Sequence, residues 1–211
     1  MSCRLFAFFL IFALGVTSAP VYSQSRPDAL AEYRLGNYER AASICREEIN
    51  NNSGNLDSYV VLCWSLLGMR RYDDTLRYAR IARALSRYDP RVTEILGEVF
   101  YNQGNNDEAL QYFQEYINLA PGGQRIENVY YYIGEIYIRM GKFRHADIAL
   151  STAVHWAPTN AAWWTRLAFA REKAGDLTDS VAAYERAIAL NPQFTDARRG
   201  LDRVRQALGS R

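Results

Sequence analysis

Histidine is almost missing from this chain: 211 residues hold two, His145 and His155. They lie ten residues apart, a spacing that puts them on different faces of one helix and argues against a two-histidine metal site. Cysteine is scarce as well, at three, and no serine or cysteine is recognisably paired with a histidine. The one glycine pair, in "PGGQR", lacks the lysine and the following helix signature of a phosphate loop. No catalytic constellation, metal or cofactor is therefore expected. An excess of one charge is absent too. The 25 Lys and Arg against 23 Asp and Glu leave a formal charge of +2, and no basic block of five or six residues occurs. That removes the usual electrostatic footprint of nucleic-acid binding.

Long apolar runs are lacking, with one short candidate at the start. "MSCRLFAFFLIFALGVTSAPVYSQ" places Arg4 before an apolar run from Leu5 to Val16, 12 residues long. A small-residue stretch follows. This is the plan of a secretory signal peptide, residues 1–23, cut after Ser23. The alternative is an uncleaved signal anchor, although the run is short for a membrane span. Cleavage would remove Arg4 and no acid, taking the charge from +2 to +1. The expected localisation is the periplasm or cell envelope, or the membrane if the segment stays attached. Cys45 and Cys63 remain after cleavage. They could bridge in an oxidising compartment, or be two small buried apolar side chains.

What is present is a repeat. Apolar residues make up 49% of the chain and tyrosine is abundant, at 15. Gly141 of "MGKF" recurs 34 residues on as Gly175 and 37 back as Gly104, then at steps of 34 as Arg70 and Gly36. The extra three residues fall near "PGGQRI", Pro121 to Ile126, where the glycine pair marks a loop. Tyr130, Ile133, Gly134 and Tyr137 form aromatic-x-x-aliphatic-Gly-x-x-aromatic. Thr93, Leu96, Gly97 and Phe100 take the same slots one unit earlier, and Trp164, Leu167, Ala168 and Arg171 one unit later. Second-helix pairs follow: Ala109 and Phe113, Ala146 and Leu150, Ser180 and Tyr184. Pro121, Pro158 and Pro192 close the units.

This pattern resembles the tetratricopeptide repeat (TPR), W-x2-L-G-x2-Y…A-x3-F…P at period 34. The resemblance implies an all-α, right-handed superhelical solenoid of about five helix-turn-helix units. They read as residues 24–55, 56–89, 90–123, 127–160 and 161–194, the first two degenerate. Residues 195–211 read as a capping helix, its stripe of Leu201, Val204 and Leu208 apolar and its other face polar. Gly134 is expected to face Ala146, and Gly97 to face Ala109, so that paired helices approach closely. Successive tyrosines turn by about 100°, which sends Tyr130 and Tyr137 into the unit, Tyr131 to the concave side, and Tyr132 toward a neighbouring unit or the flank.

The family resemblance implies protein or peptide binding on the concave face. The frame places Trp64, Glu94, Glu98, Tyr101, Tyr131, Glu135, Arg139, Phe169 and Lys173 there, with Val60, Asn102, Asn128, Thr165 and Glu172 beside them. Glu94, Glu98 and Glu135 make its middle acidic, which points to a basic or amphipathic partner. The lysine and asparagines with which chaperone-binding members grip a carboxylate terminus are replaced here by Arg26, Leu30, Val60 and Trp64, so that clamp is not expected. The favoured role is an exported scaffold or adaptor in envelope protein assembly or secretion. The alternative is a ligand-binding accessory subunit, for example of a transporter, with a small molecule in a pocket between Trp64, Tyr101 and Tyr131. Self-association through the end units is open.

Overall fold

A computed structural model describes residues 28–210. The expected signal segment 1–23 and the clamp position Arg26 lie outside the described residues.

Eleven helices run through the described residues with no strand between them. They are α1 (Ala29–Arg34), α2 (Tyr38–Asn51), α3 (Leu56–Gly68), α4 (Tyr72–Leu85), α5 (Pro90–Gln103), α6 (Asn106–Leu119), α7 (Ile126–Arg139), α8 (Phe143–Trp156), α9 (Ala161–Ala174), α10 (Leu177–Leu190) and α11 (Thr195–Gly209). Consecutive helices pair as five hairpins and α11 closes the array, the solenoid expected from the repeat. The odd-numbered helices also touch in an unbroken row from α1 to α11, and that row is the inner layer.

Local chemistry accounts for the ends of these helices. Asp28, Asn55, Asp89 and Asn160 cap α1, α3, α5 and α9 by accepting backbone N–H bonds in the first turn, each satisfying donors the helix leaves orphaned. Inside every hairpin the chain turns through one left-handed residue: Gly36, Arg70, Gly104, Gly141 and Gly175. The next N–H then bonds a carbonyl five residues back, as Lys142 does to Tyr137 at 2.8 Å and Arg71 to Leu66 at 2.9 Å. This closes a Schellman-type end. Arg70 holds φ at +59° with a side chain that disfavours it. Arg70→Gly is therefore expected to stabilise the chain by about 0.5–1 kcal/mol, read as a raised urea midpoint. An unchanged or lower midpoint counts against strain at this turn.

Packing between paired helices departs from the expectation in one respect. The nearest neighbours of Gly134 and Gly97 are not the alanines but the large side chains Leu150 and Phe113. A Cβ on Gly134 would lie 2.5 Å from Leu150 Cγ, and one on Gly97 would lie 2.6 Å from Phe113 Cε1. The glycine makes room for the large side chain one turn beyond the alanine. The alanine slot works separately: Ala41, Thr75, Ala109, Ala146 and Ser180 are all fully buried where the two backbones approach. The two polar members return a hydroxyl bond to backbone, Thr75 to the Arg71 carbonyl and Ser180 to the Ala168 carbonyl, each at 2.8 Å. Phe113 then carries the next unit as well, since Tyr132 of α7 stacks on it at 5.5 Å with planes 9° apart. Gly200 of α11 meets Tyr184 in the corresponding place.

Cys45 and Cys63 are buried free thiols, the second of the two readings open at the sequence. Cys63 Sγ donates to the Thr75 carbonyl at 3.8 Å. Burial, the largest influence, pushes the Cys45 thiol up to about 12.

Candidate functional site on the concave face

The inner row carries aromatic side chains tied to arginines of the same or the next unit. Tyr101 packs on Tyr132 at 4.7 Å, and the Arg139 guanidinium sits 4.5 Å above the Tyr101 ring. Arg139 also donates to the Tyr101 carbonyl at 3.1 Å and to Asn106 Oδ1 at 3.2 Å. One unit on, Tyr131 stacks on Trp163 at 4.9 Å with planes 11° apart. Phe169 has Arg166 and Lys173 within 5.2 and 5.4 Å of its ring centre. At the other end Trp64 stacks on Tyr33 of α1 at 5.8 Å, with its indole Nε1 buried and unpaired.

The acidic middle expected from the sequence is not what the fold presents. Glu94 is fully buried, and its Oε1 accepts from Arg125 Nε at 2.8 Å while Oε2 has no partner. Burial and the neighbouring Glu98 raise its pKa, and Arg125 opposes them without prevailing. Glu98 lies 3.5 Å from the same guanidinium. Glu135 takes a bidentate pair from Arg166, at 2.6 and 2.9 Å. Glu172 takes one from Arg203, at 2.7 and 2.5 Å. Burial alone would raise the Glu172 carboxyl, but the Arg203 and Tyr184 hydrogen bonds outweigh it and hold it below the usual range. The carboxylates are thus matched by cations from the following unit, because stacking brings a residue about one turn short of a full period over its partner. Val60 and Thr165 are buried in the same slot as Glu94, so none of the three is displayed to a partner.

Three arginines carry this arrangement and were not among the expected site residues: Arg125, Arg166 and Arg203. A signal for them exists in the sequence. Glu94–Arg125, Glu135–Arg166 and Glu172–Arg203 are each separated by 31 residues. Arg125 owes its place to the three-residue insertion. The "PGGQR" turn delivers it to the start of α7, where its N–H donates to Tyr116 Oη at 3.3 Å.

A cavity of about 350 Å³ opens at the carboxyl-terminal end of the face, between Tyr131, Phe169 and Phe194, with Arg166, Arg199 and Arg203 on its walls. Trp64 and Tyr101, expected to share a pocket with Tyr131, do not line it. Among the described residues, no group of three or more His, Cys, Asp or Glu side chains is placed to hold a metal ion. None of the described helices is long and apolar enough to cross a membrane.

The chain is similar to several solved solenoids. A chain of the APC/C hetero-tetramer Cut9–Hcn1 matches with a TM-score of 0.75 at 19% identity, over 83% of this chain. This chain spans 35% of that one. PilW, a widely conserved type IV pilus biogenesis factor, matches at 0.74 and 17% identity, over 86% of this chain and 83% of its own. YrrB, a TPR protein with an unusual peptide-binding site, matches at 0.63 and 15% identity, over 80% and 86%. At these identities the likeness is one of fold. No curated protein matches the sequence. The family description "Cilia and flagella-associated protein 70 C-terminal domain", a TPR family, matches residues 24–197. That span is most of the chain, which therefore belongs to this tetratricopeptide-repeat family.

Proposed function

We propose that the chain is a scaffold or adaptor that holds an extended segment or a helix of a partner protein along its concave face. The observation that carries this reading is the row Tyr101, Tyr131 and Phe169, half-buried rings flanked by arginines already held in place, Arg139 by the Tyr101 carbonyl and Asn106 and Arg166 by Glu135. Aromatic and arginine side chains supply much of the energy in protein interfaces, and fixing them beforehand lowers the cost of binding. The likeness to YrrB, a TPR protein with an unusual peptide-binding site, supports the same reading. Export to the envelope is part of the proposal and rests on the first 24 residues. The PilW likeness is in keeping with an assembly role there. Since Glu94, Glu98 and Glu135 are paired, a basic partner is not favoured over other kinds.

A double variant, Tyr131→Ala with Phe169→Ala, tests the site. Recovery of a bound protein from envelope extract is expected to fall at least tenfold while circular dichroism stays helical. Equal recovery by wild type and variant places binding elsewhere, on the convex side or the end units. A second reading, capture of a small molecule, is favoured only by the 350 Å³ cavity, which lies within the usual range for ligand pockets of roughly 300–1,000 Å³. Native mass spectrometry of the purified chain separates the two, by showing or failing to show a bound small mass.

A further inference from the structure

The last helix has the marks of an end cap, with a polar outer face and an apolar stripe. It does more than close the array. Asp196, Arg199 and Arg203 sit at spacings of three and four along α11, hence on one face, and all three line the concave cavity.

The cations of this cavity are in different states. Arg166 uses Nε and Nη2 on Glu135, and Arg203 uses Nε and Nη2 on Glu172. A guanidinium has five N–H donors. Each of these two therefore keeps an Nη1 amino group that donates to no described residue, on a plane its carboxylate holds still. Arg199 is exposed and makes no ion pair or hydrogen bond with any described residue. Four cations (Arg166, Lys173, Arg199, Arg203) stand against three acids (Glu135, Glu172, Asp196) around the cavity and its rim. Two of the acids are already bound to cations. The remaining acid, Asp196, lies in the first turn of α11, where the helix amide ends favour a negative charge. Tyr131, Phe169 and Phe194 give the cavity apolar walls.

We infer that this cavity reads an aspartate or glutamate side chain within an extended partner segment, together with an apolar side chain next to it, and that α11 supplies the reading group, Arg199. The inference rests on the scaffold reading above and reverses the basic partner expected from the sequence. Unspent planar donors fit a carboxylate in two-point geometry. The face continues toward Tyr131 and Tyr101, which leaves room for chain on both sides of the acid.

The test uses the full chain and an array of random octapeptides, acetylated and amidated so that side chains alone carry charge. A second array has free carboxyl ends. Peptides retained by the amidated array are expected to be enriched in Asp or Glu beside Phe, Tyr, Trp or Leu. For a resynthesised binder measured by fluorescence anisotropy, changing its acid to the amide is expected to weaken binding about 10- to 100-fold. Arg199→Ala should do the same to the acidic peptide and leave its amide form unaffected. Arg198→Ala, on the same helix but away from the cavity, should change neither. Selection of basic peptides, binding confined to free carboxyl ends, or indifference to Arg199→Glu overturns the inference. In those three cases the scaffold reading survives if Tyr131→Ala with Phe169→Ala still abolishes binding. An array that retains no peptide counts against both.

Discussion

Replacing Arg125 by leucine is expected to cost about 3 kcal/mol at pH 8, and much less at pH 5. Breaking a buried ion pair by removing one partner leaves a desolvated charge, which costs about 3–5 kcal/mol. The lower end applies here because Arg125 is 38% exposed and Glu94 can take up a proton instead. Glu94's folded-state pKa is raised above its unfolded value of about 4.3. Between those two values the folded chain keeps a proton that the unfolded chain has lost. Stability from this group therefore falls as pH rises through that window, and the full cost is present above the folded pKa. Removing Arg125 takes away the main influence that lowers this pKa, so it widens the window upward. Urea denaturation of wild type and Arg125→Leu at both pH values measures the effect. Adding Glu94→Gln to Arg125→Leu should restore most of the loss at pH 8. A loss that is equal at pH 5 and pH 8, with no restoration by glutamine, would show that Arg125 acts by packing alone.

Phe113→Ala is expected to cost about 4 kcal/mol, within the range for emptying a buried phenylalanine site. The ring is fully buried, fills the space left by Gly97 and carries Tyr132 of the next unit. It therefore stabilises both a hairpin and the contact between hairpins. In a stacked array these add as unit and neighbour terms, so loss of the ring should also broaden the unfolding transition as the two ends uncouple. Gly97 gives a sharper readout. In wild type, Gly97→Ala should destabilise by about 1 kcal/mol, because overpacking against the ring, about 1–3 kcal/mol, exceeds the helix-propensity gain of about 1 kcal/mol. In the Phe113→Ala background the same change should stabilise, because the clash is gone and the propensity gain remains. A double-mutant cycle by urea denaturation measures that reversal. Additive effects would sink the proposed contact.

The repeat was legible because it is written in local terms. A left-handed turn residue, an Asx cap and a small residue opposite a large one each constrain a few neighbours, and a period near 34 restates them along the chain, with glycine at the turn in four of the five units and the Asx cap on the first helix of four. Even the degenerate second unit obeys: Arg70 stands where glycine is absent and adopts the same turn, because the flanking helices stabilise the hairpin enough to hold it. The three tyrosines, Tyr130 to Tyr132, sorted by helical phase, and of the two places open to Tyr132, a neighbouring unit or the flank, it takes the first, on Tyr101 and Phe113 of the preceding unit.

The character of the concave face was not legible in the same way. Read along one helix, Glu94 and Glu98 or Glu135 are a solvated acidic surface. Stacking then carried Arg125 and Arg166 over them from the next unit and turned that surface into paired, partly buried charge. The sequence by itself determined the helices, their turns and their order, since those follow from backbone geometry and short-range packing. Tertiary structure decided which charges are spent and which remain free, because a charge's partner, its burial and its pKa depend on residues about 31 positions away that only the superhelix brings together.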